Sequence, residues 1–240
     1  MGSRKVSTEI KAKVHFSGRG IVTRRLHHFQ MMINCKKKEK NMHIAIEGID
    51  GVGKTTLAKN LAEKIGFQCI EKHLHALLDG EDMEQIPQYL KVTQYINHSE
   101  DALLRAWFYA LGNIYMKEHY KSTDIVTDRY FASNYSWNGN TENEFIFDFL
   151  IRKLGKPQIT FLLYADENAR KNRILKRNSA DPDLANFHGD FSLRMYHKLD
   201  SFLKRYDFNY FPLDTSNCSG EETLALVMQI LQREFPDRFA

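Results

Sequence analysis

Short apolar runs alternate with longer stretches of helical spacing between residues 42 and 235. The apolar runs have the composition of buried parallel strands, and they cover residues 43–47, 67–71, 124–128, 157–164 and 209–213. Apolar residues recur at helical spacing between these runs, in residues 56–64, 79–122, 168–177, 191–206 and 222–235. Strands that alternate with helices predict an α/β protein built on a parallel sheet.

Six large side chains form one apolar stripe in the helical region 79–122. They are Leu103, Leu104, Trp107, Phe108, Leu111 and Tyr115. A stripe of this width usually packs on the core, so we expect most of these side chains to be buried. One or two of the aromatic rings, with Phe108 as the candidate, could instead form a wall on which a nucleobase stacks.

A glycine-rich segment follows the first predicted strand. Residues 48–55, Gly-Ile-Asp-Gly-Val-Gly-Lys-Thr, match the full phosphate-binding pattern G-x-x-x-x-G-K-[ST], and a helical stretch follows. Glycines let consecutive backbone N–H groups face anionic oxygens, and the helix N-terminus adds the positive end of its dipole. Lys54 brings a full charge to the β- and γ-phosphates, and the Thr55 hydroxyl is placed for Mg²⁺. The candidate ATP-phosphate site is Gly48, Asp50, Gly51, Val52, Gly53, Lys54, Thr55 and Thr56.

An acid and a base end the third predicted strand. Asp128 and Arg129 follow the β-branched run 125–127, so they should lie at the carboxyl edge of the sheet, where ligands of open α/β sheets bind. A carboxylate there can hold Mg²⁺ through water, and an arginine can clamp a phosphoryl group with two hydrogen bonds. We therefore expect a magnesium site at Thr55 and Asp128, with Arg129 on the phosphates.

The segment after Arg129 mixes aromatic rings with amide and hydroxyl groups. This mixture suits stacking on a nucleobase and recognition of its edge, although a helix with ordinary polar spacing explains the same pattern. The candidate residues are Ser133, Asn134, Trp137 and Asn138. Glu71, which ends the second predicted strand, could accept a proton from a hydroxyl group or have a structural role only.

Five basic residues crowd into the helical stretch 168–177, and a polar segment containing Pro182 follows. A solvated basic face is the usual explanation of such a helix. The polar segment, however, has the composition of a mobile flap, which we place at about residues 177–190. Basic residues at the hinge of a flap can close over phosphates and neutralise charge in a transition state.

Charge divides the chain into two parts. Residues 1–41 hold 11 Lys/Arg and 2 Asp/Glu, a balance of +9, whereas the remainder holds 23 and 28, a balance of −5. A body that binds nucleic acid would carry the positive patch itself, so residues 42–240 do not fit that class. The basic segment could be a targeting presequence, an electrostatic arm for nucleic acid or membrane, or a disordered extension. Its weak periodicity favours a disordered extension, with Met42 as the functional start.

Cysteine usage and hydropathy indicate the compartment. Cys35, Cys69 and Cys218 lack metal-type spacing and predict reduced thiols in the cytosol. His73 and His75 have no evident third ligand, which favours surface or substrate-edge positions over a metal site. No run of about 18 apolar residues occurs, so we expect no transmembrane helix and a cytoplasmic protein.

Three segments resemble motifs of the thymidylate kinase-like family of P-loop nucleoside and nucleotide kinases, and the similarity covers about residues 42–235. Residues 46–56 are similar to the family's phosphate loop. Residues 127–139 are similar to its Asp-Arg-Tyr segment and the Ser-Ser-x-Ala-Tyr-Gln-Gly stretch that follows, and residues 163–177 to the entry into its lid. The matching positions are Asp50 in the loop, Ser133, Asn134, Trp137 and Asn138 in the second segment, and Asp166, Arg173 and Arg177 in the third.

The resemblance implies a three-layer α/β/α fold in which helices wrap a five-stranded parallel sheet and a mobile lid closes the site. It implies transfer of a phosphoryl group from ATP, with Mg²⁺, to a nucleoside monophosphate, for which dTMP is the expected acceptor. The expected partners are these small nucleotides and a second copy of the chain, bound through helices near residues 80–120.

The resemblance also assigns roles to residues. The implied catalytic set is Lys54, Asp128, Arg129, Arg173 and Arg177. Asp50 would lie near the sugar hydroxyl and Asn138 near the base. With the residues chosen from their chemistry, the candidate acceptor site is Asp50, Glu71, Phe108, Arg129, Ser133, Asn134, Trp137 and Asn138.

Two departures from the family pattern concern the acceptor. An arginine that grips the acceptor's phosphate is missing from residues 69–73, and a second is missing from residues 109–112, although Lys72, His73 or Arg105 could substitute. A deoxynucleoside kinase, with Glu71 as the base for a 5′-hydroxyl, therefore stays as an alternative. A non-catalytic nucleotide-binding regulator, using its basic segment to contact a partner or nucleic acid, is the other alternative.

Overall fold

The computed structural model describes residues 41–80, 85–181, 184, 187 and 190–239. The predictions made for the basic segment, apart from its last residue, lie outside these ranges. Residues 182, 183, 185, 186, 188 and 189 of the predicted flap lie outside them as well, so the flap stays a prediction.

Five parallel strands form one sheet in the order β2-β3-β1-β4-β5. The strands are β1 His43–Gly48, β2 Gln68–Ile70, β3 Ile125–Asp128, β4 Ile159–Tyr164 and β5 Tyr210–Asp214. The three central strands are buried along almost their whole length because helices flank the sheet on both faces. The predicted three-layer α/β fold with a five-stranded parallel sheet is confirmed.

Helices connect the strands. They are α1 Lys54–Ile65, α2 His75–Asp79, α3 Pro87–Asn97, α4 Ala102–His119, α5 Phe131–Asn138, α6 Glu144–Leu154, α7 Glu167–Arg177, α8 Phe191–Arg205, α9 Gly220–Glu234 and α10 Pro236–Phe239. Local signals set several ends: Asp101 caps α4 through Leu103 N and Leu104 N, and Ser219 begins α9 with a capping box. Throughout the described ranges, every helix is too short or too polar to cross a membrane.

The strand order brings two sequence motifs to one edge of the sheet. β1 lies between β3 and β4, and its Ile46 is in register with Asp128. The residues that follow β1 and β3 therefore emerge side by side at the carboxyl edge, where open α/β sheets bind ligands. At the end of β1, a Cβ on Gly48 would lie 2.6 Å from the carbonyl oxygen of Leu163, so glycine is needed for the chain to turn against β4.

The apolar stripe on α4 is exposed, and the prediction that most of it would be buried is wrong. Leu104, Trp107 and Leu111 are 40%, 39% and 48% exposed, and Leu103 is similarly exposed. The face of α4 that meets the core instead carries Ala106, Ala110, Gly112, Asn113 and Met116. Small residues let the helix approach its neighbours closely, and the periodicity of the large residues therefore identified the opposite face.

Candidate active site

The phosphate loop makes a tight turn from β1 to α1. Gly51 has a φ of 84°, and a Cβ there would lie 3.0 Å from the carbonyl oxygen of Arg170 and 3.0 Å from Ile174 Cδ1. The loop therefore packs directly on α7. Gly53, with a φ of 98°, precedes α1, and Leu57 N donates to its carbonyl oxygen at 3.0 Å. These contacts hold the loop in its turn between β1 and α1.

Lys54 and Asp50 form a buried charged pair in this loop. Lys54 Nζ donates to the Ile49 carbonyl oxygen at 2.7 Å and lies 3.7 Å from Asp50 Oδ1. Burial and then the charge of Arg129 lower the pKa of Lys54 to about 8. Burial acts to raise the pKa of Asp50, but Arg129 and Lys54 outweigh it and hold that pKa at about 2. Asp50 is therefore a carboxylate at neutral pH.

Thr55 and Asp128 offer oxygen ligands to a metal ion. The Thr55 hydroxyl donates to Asp128 Oδ2. Asp128 Oδ1 is buried, and within the described part of the chain it has no hydrogen-bond partner. An unpartnered buried carboxylate oxygen is costly, and Mg²⁺ or a water bound to it would satisfy this atom. The two side chains therefore fit the predicted magnesium site.

Arg129 reaches from the end of β3 back to the phosphate loop. Its guanidinium donates to the Asp50 carboxylate, and its Nη1 lies 3.4 Å from both the Gly48 carbonyl oxygen and Ser133 Oγ. The structure thus brings together two motifs that lie far apart in the sequence.

Two predicted lid arginines, Arg173 and Arg177, line the same cavity as the loop. Arg173 donates through Nη1 to Thr215 Oγ1 at 3.2 Å and through Nη2 to the Cys218 carbonyl oxygen at 3.3 Å. Arg177 donates through Nη2 to Asp181 Oδ2 at 2.6 Å. Both guanidinium groups therefore have protein partners, with Arg173 joining α7 to the segment after β5.

A third arginine of α7 was not singled out from the sequence. Arg170 is buried, its Nε donates to the Asp50 carbonyl oxygen at 2.7 Å, and its guanidinium lies 4.7 Å from the centre of the Phe187 ring. Arg170 therefore stabilises the phosphate loop through a hydrogen bond from α7. Its position three residues before Arg173, on the same helix face, is the only sequence signal for it.

Two cavities meet at this edge of the sheet. The first, which we call the loop cavity, has a volume of about 550 Å³ and is lined by the phosphate loop, α7 and the segment after β5. The second, which we call the larger cavity, has a volume of about 780 Å³ and extends between β2, α3, α4 and α5. Four residues line both cavities, and we call them the shared wall: Asp50, Thr55, Asp128 and Arg129. A group in one cavity can therefore approach a group in the other across this shared wall.

All the residues of the predicted acceptor site line the larger cavity. Its lining includes Asp50, Glu71, Phe108, Arg129, Ser133, Asn134, Trp137 and Asn138. Asn134 Nδ2 donates to the Ala106 carbonyl oxygen at 3.1 Å, and Asn138 Nδ2 donates to Asn134 Oδ1 at 3.0 Å. Arg105 Nε donates in turn to Asn138 Oδ1 at 3.0 Å. Arg105 thus lies beside the amide predicted for the base.

The end of β2 supplies both an acid and bases to this cavity. Glu71 Oε1 pairs with Lys59 Nζ at 2.9 Å, and Lys72 lines the cavity next to it. His73 Nδ1 lies 3.1 Å from Asn113 Oδ1, and burial lowers the pKa of His73 to about 4, so its imidazole is neutral at pH 7. Among the described residues, no three His, Cys, Asp or Glu side chains form a group that could hold a metal ion.

Comparison with known proteins identifies the family from the sequence and the shared fold from solved structures. A thymidylate kinase family model matches residues 46–224. A probable thymidylate kinase of Methanocaldococcus jannaschii is 29% identical over 184 residues, which are 76% of this chain and 91% of the relative. The solved thymidylate kinase of Candida albicans shares the fold, with a TM-score of 0.58 and 15% identity over 84% of this chain and 94% of that one. A solved deoxyadenosine kinase of M. mycoides shares it too, with a TM-score of 0.54 and 20% identity over 80% of this chain and 100% of that one. The chain belongs to the thymidylate kinase family.

Proposed function

We propose that this phosphotransferase moves the γ-phosphoryl group of ATP, with Mg²⁺, to a deoxynucleoside monophosphate, and that the acceptor is dTMP. The observation that supports it most strongly is the wall shared by the two cavities. A donor in the loop cavity and an acceptor in the larger cavity would present their reacting phosphates to the same four polar residues.

In this proposal the loop cavity binds ATP. The backbone N–H groups of the loop and Lys54 hold the phosphates, and Arg129 stabilises charge on the transferred group. Thr55 and Asp128 would hold Mg²⁺, which when bound neutralises charge on the phosphates. Arg173 and Arg177 line the far side of the cavity and contribute further positive charge.

The larger cavity binds the monophosphate. Lys72 and Arg129 supply positive charge toward its phosphate, while Phe108, Asn138 and Arg105 lie where its base would bind. A phosphate acceptor is already ionised near neutral pH, so the transfer needs no strong base. Glu71, paired with Lys59, then has a structural role.

A panel of acceptors tests this proposal. With ATP and Mg²⁺, we expect transfer to dTMP and much slower transfer to thymidine. Lys54→Ala should lower turnover by about 1,000-fold while the protein stays folded. ATP binding without transfer to any nucleotide or nucleoside would instead support a nucleotide-binding regulator.

A deoxynucleoside kinase is the second candidate, because the Glu71 carboxylate lines the cavity at the end of β2. A 5′-hydroxyl must lose its proton during transfer, and Glu71 could accept it. Turnover of thymidine but not of dTMP, lost in Glu71→Gln, would establish this function in place of the first.

We also propose that a second copy of the chain covers the exposed stripe of α4. Leu104, Trp107 and Leu111 share one helix face, and the Trp107 ring lies 6.2 Å from that of Phe145 on α6. Apolar patches of this kind commonly mark interfaces. Sedimentation should show a dimer that Trp107→Glu dissociates, whereas Leu226→Glu, at an exposed leucine of α9, should not. A monomeric wild type contradicts the proposal.

A further inference from the structure

Glu47 is a buried carboxylate whose hydrogen-bond partners follow Arg129, a residue of the shared wall, in the chain. It lies on β1 just before the phosphate loop and is 1% exposed. Its Oε1 accepts hydrogen bonds from Tyr130 N at 2.9 Å, Ala132 N at 3.1 Å and Ser133 N at 3.3 Å. Its Oε2 accepts one from the Ser133 hydroxyl. Every one of these partners belongs to the start of α5.

The start of α5 needs such a partner. Tyr130, the residue before the helix, makes no side-chain hydrogen bond to cap it. The first N–H groups of a helix have no partner within the helix, and leaving them unsatisfied in a buried position is costly. Glu47 therefore caps α5 from another strand and fixes the helix start relative to β1.

The turn that Glu47 holds includes Arg129. Arg129 has a φ of 74°, a left-handed conformation that is strained for a residue other than glycine. Its N–H donates to the Ile46 carbonyl oxygen at 2.9 Å, and the very next N–H, of Tyr130, donates to Glu47. Consecutive residues of β1 thus hold consecutive N–H groups of the strained turn.

A second connection runs through Ser133. Its hydroxyl donates to Glu47, which leaves the oxygen lone pairs to face Arg129 Nη1 at 3.4 Å. Glu47 thereby determines both the backbone from which the Arg129 side chain starts and the orientation of one group it contacts.

We propose that Glu47 is a positioning residue that holds the Arg129 guanidinium at the wall between the two cavities. The inference rests on the proposed function, in which Arg129 acts on the transferred phosphoryl group. Glu47 contacts no substrate in this proposal and acts only through the turn and Ser133.

Glu47→Gln is the most informative variant because it keeps the shape of the side chain. Its carbonyl oxygen can still accept the three backbone hydrogen bonds, so we expect the helix to form. Its amide, however, donates to Ser133 Oγ, and the serine hydrogen must turn toward Arg129, where it opposes the guanidinium. We expect kcat to fall by about 10-fold, with KM for ATP and dTMP changed by less than about twofold.

A double-mutant cycle separates positioning from general destabilisation. Arg129→Gln should lower kcat by about 1,000-fold, and adding Glu47→Gln should change it by less than about twofold more. A further 10-fold loss in the double variant would show that Glu47 acts independently of Arg129 and would overturn the inference. Asp101→Ala, which removes the cap of α4, is the matched control for a weakened helix start, and its kcat should stay near that of wild type.

The reactivity of Arg129 toward phenylglyoxal, measured by peptide mass spectrometry, gives a readout that needs no activity. Modification should be several-fold faster in Glu47→Gln than in wild type and unchanged in Asp101→Ala. Equal rates in Glu47→Gln and wild type would overturn the positioning role. A wild type that transfers no phosphate would instead overturn the proposed function, and the Arg129 modification rates would still decide the role of Glu47.

Discussion

The two cavities are built by different means. The loop cavity takes its shape from backbone: glycines with left-handed conformations, the start of α1, and carbonyl oxygens that hold Lys54 and Arg173. The larger cavity takes its shape from side chains, in which Arg105, Asn138 and Asn134 orient one another across two helices. A backbone cradle fits any triphosphate, whereas a side-chain network can be changed one residue at a time to fit a different acceptor.

This difference matches the departures from the family pattern. The phosphate loop matches fully, while the departures, at residues 69–73 and 109–112, lie on β2, α4 and their connection, which line the larger cavity. The departures therefore lie in the cavity that we propose for the acceptor. Variants in the loop cavity and in the larger cavity should accordingly differ in how much activity they lose and in which kinetic constant changes.

The largest effect is expected in the backbone cradle. Gly51→Ala places a Cβ 3.0 Å from the Arg170 carbonyl oxygen at a residue with a φ of 84°, so the loop must move away from α7. We expect kcat/KM to fall by more than about 100-fold, and the free energy of unfolding to fall by about 2 kcal/mol. Steady-state kinetics and urea unfolding measure the two effects.

Gly66→Ala is the matched control for Gly51→Ala. Gly66 has a φ of 71° at the end of α1, and a Cβ there would meet nothing within 4 Å. It should lose about 1 kcal/mol of stability and keep full activity. If both variants kept their activity, the loop cavity would not depend on its backbone shape.

The next largest effect is expected at Lys72 in the larger cavity. If Lys72 supplies charge to the acceptor's phosphate, Lys72→Ala should raise KM for dTMP by about 10- to 100-fold and leave KM for ATP unchanged. Initial-rate kinetics with each substrate varied in turn measure this. An equal rise in both KM values would mean that the two halves of the site are not separable.

A smaller effect is expected at Arg105. Arg105→Met keeps the length of the side chain but removes the hydrogen bond to Asn138, so the amide can rotate. We expect KM for dTMP to rise by about 10-fold, with the preference among bases weakened. A panel of monophosphates with different bases measures both. An unchanged preference would show that the side-chain network does not select the base.

The same contrast explains how much the sequence could predict. The phosphate loop, Asp128 and Arg129 were recognisable because each follows a buried strand, and parallel strands deliver their carboxyl ends to one edge. The observed strands agree with the apolar runs to within a few residues at each end. Arg170 and Glu47 were not recognised, because their importance depends on contacts with residues 120 and 83 positions away. Arg105 was named only as a possible substitute for a missing arginine, and its hydrogen bond to Asn138, 33 positions away, was not foreseen.

The apolar stripe on α4 shows a different limit. Spacing showed correctly that the large side chains of α4 share a face, but not that this face is exposed. Close packing of Ala106, Ala110 and Gly112 against the core gives no strong signal in hydropathy. A helix with two apolar faces therefore leaves open which of them is covered within one chain.

The smallest effect we expect is a dependence of stability on pH. Burial lowers the pKa of His73 to about 4, against about 6.5 in an unfolded chain. Between these two pKa values His73 binds a proton in the unfolded state but not in the folded state. The free energy of unfolding therefore falls as the pH drops from about 6.5 toward about 4. Near pH 5.5 this costs about 1 kcal/mol. Urea unfolding of wild type and His73→Gln at pH 7.5 and 5.5 measures the effect. His73 also helps to lower the pKa of the buried His43, and the loss of that contribution in His73→Gln changes the pH dependence in the same direction. His73→Gln should lose less stability between these pH values, and an equal loss would mean that His73 titrates normally and that this end of the larger cavity is open to solvent.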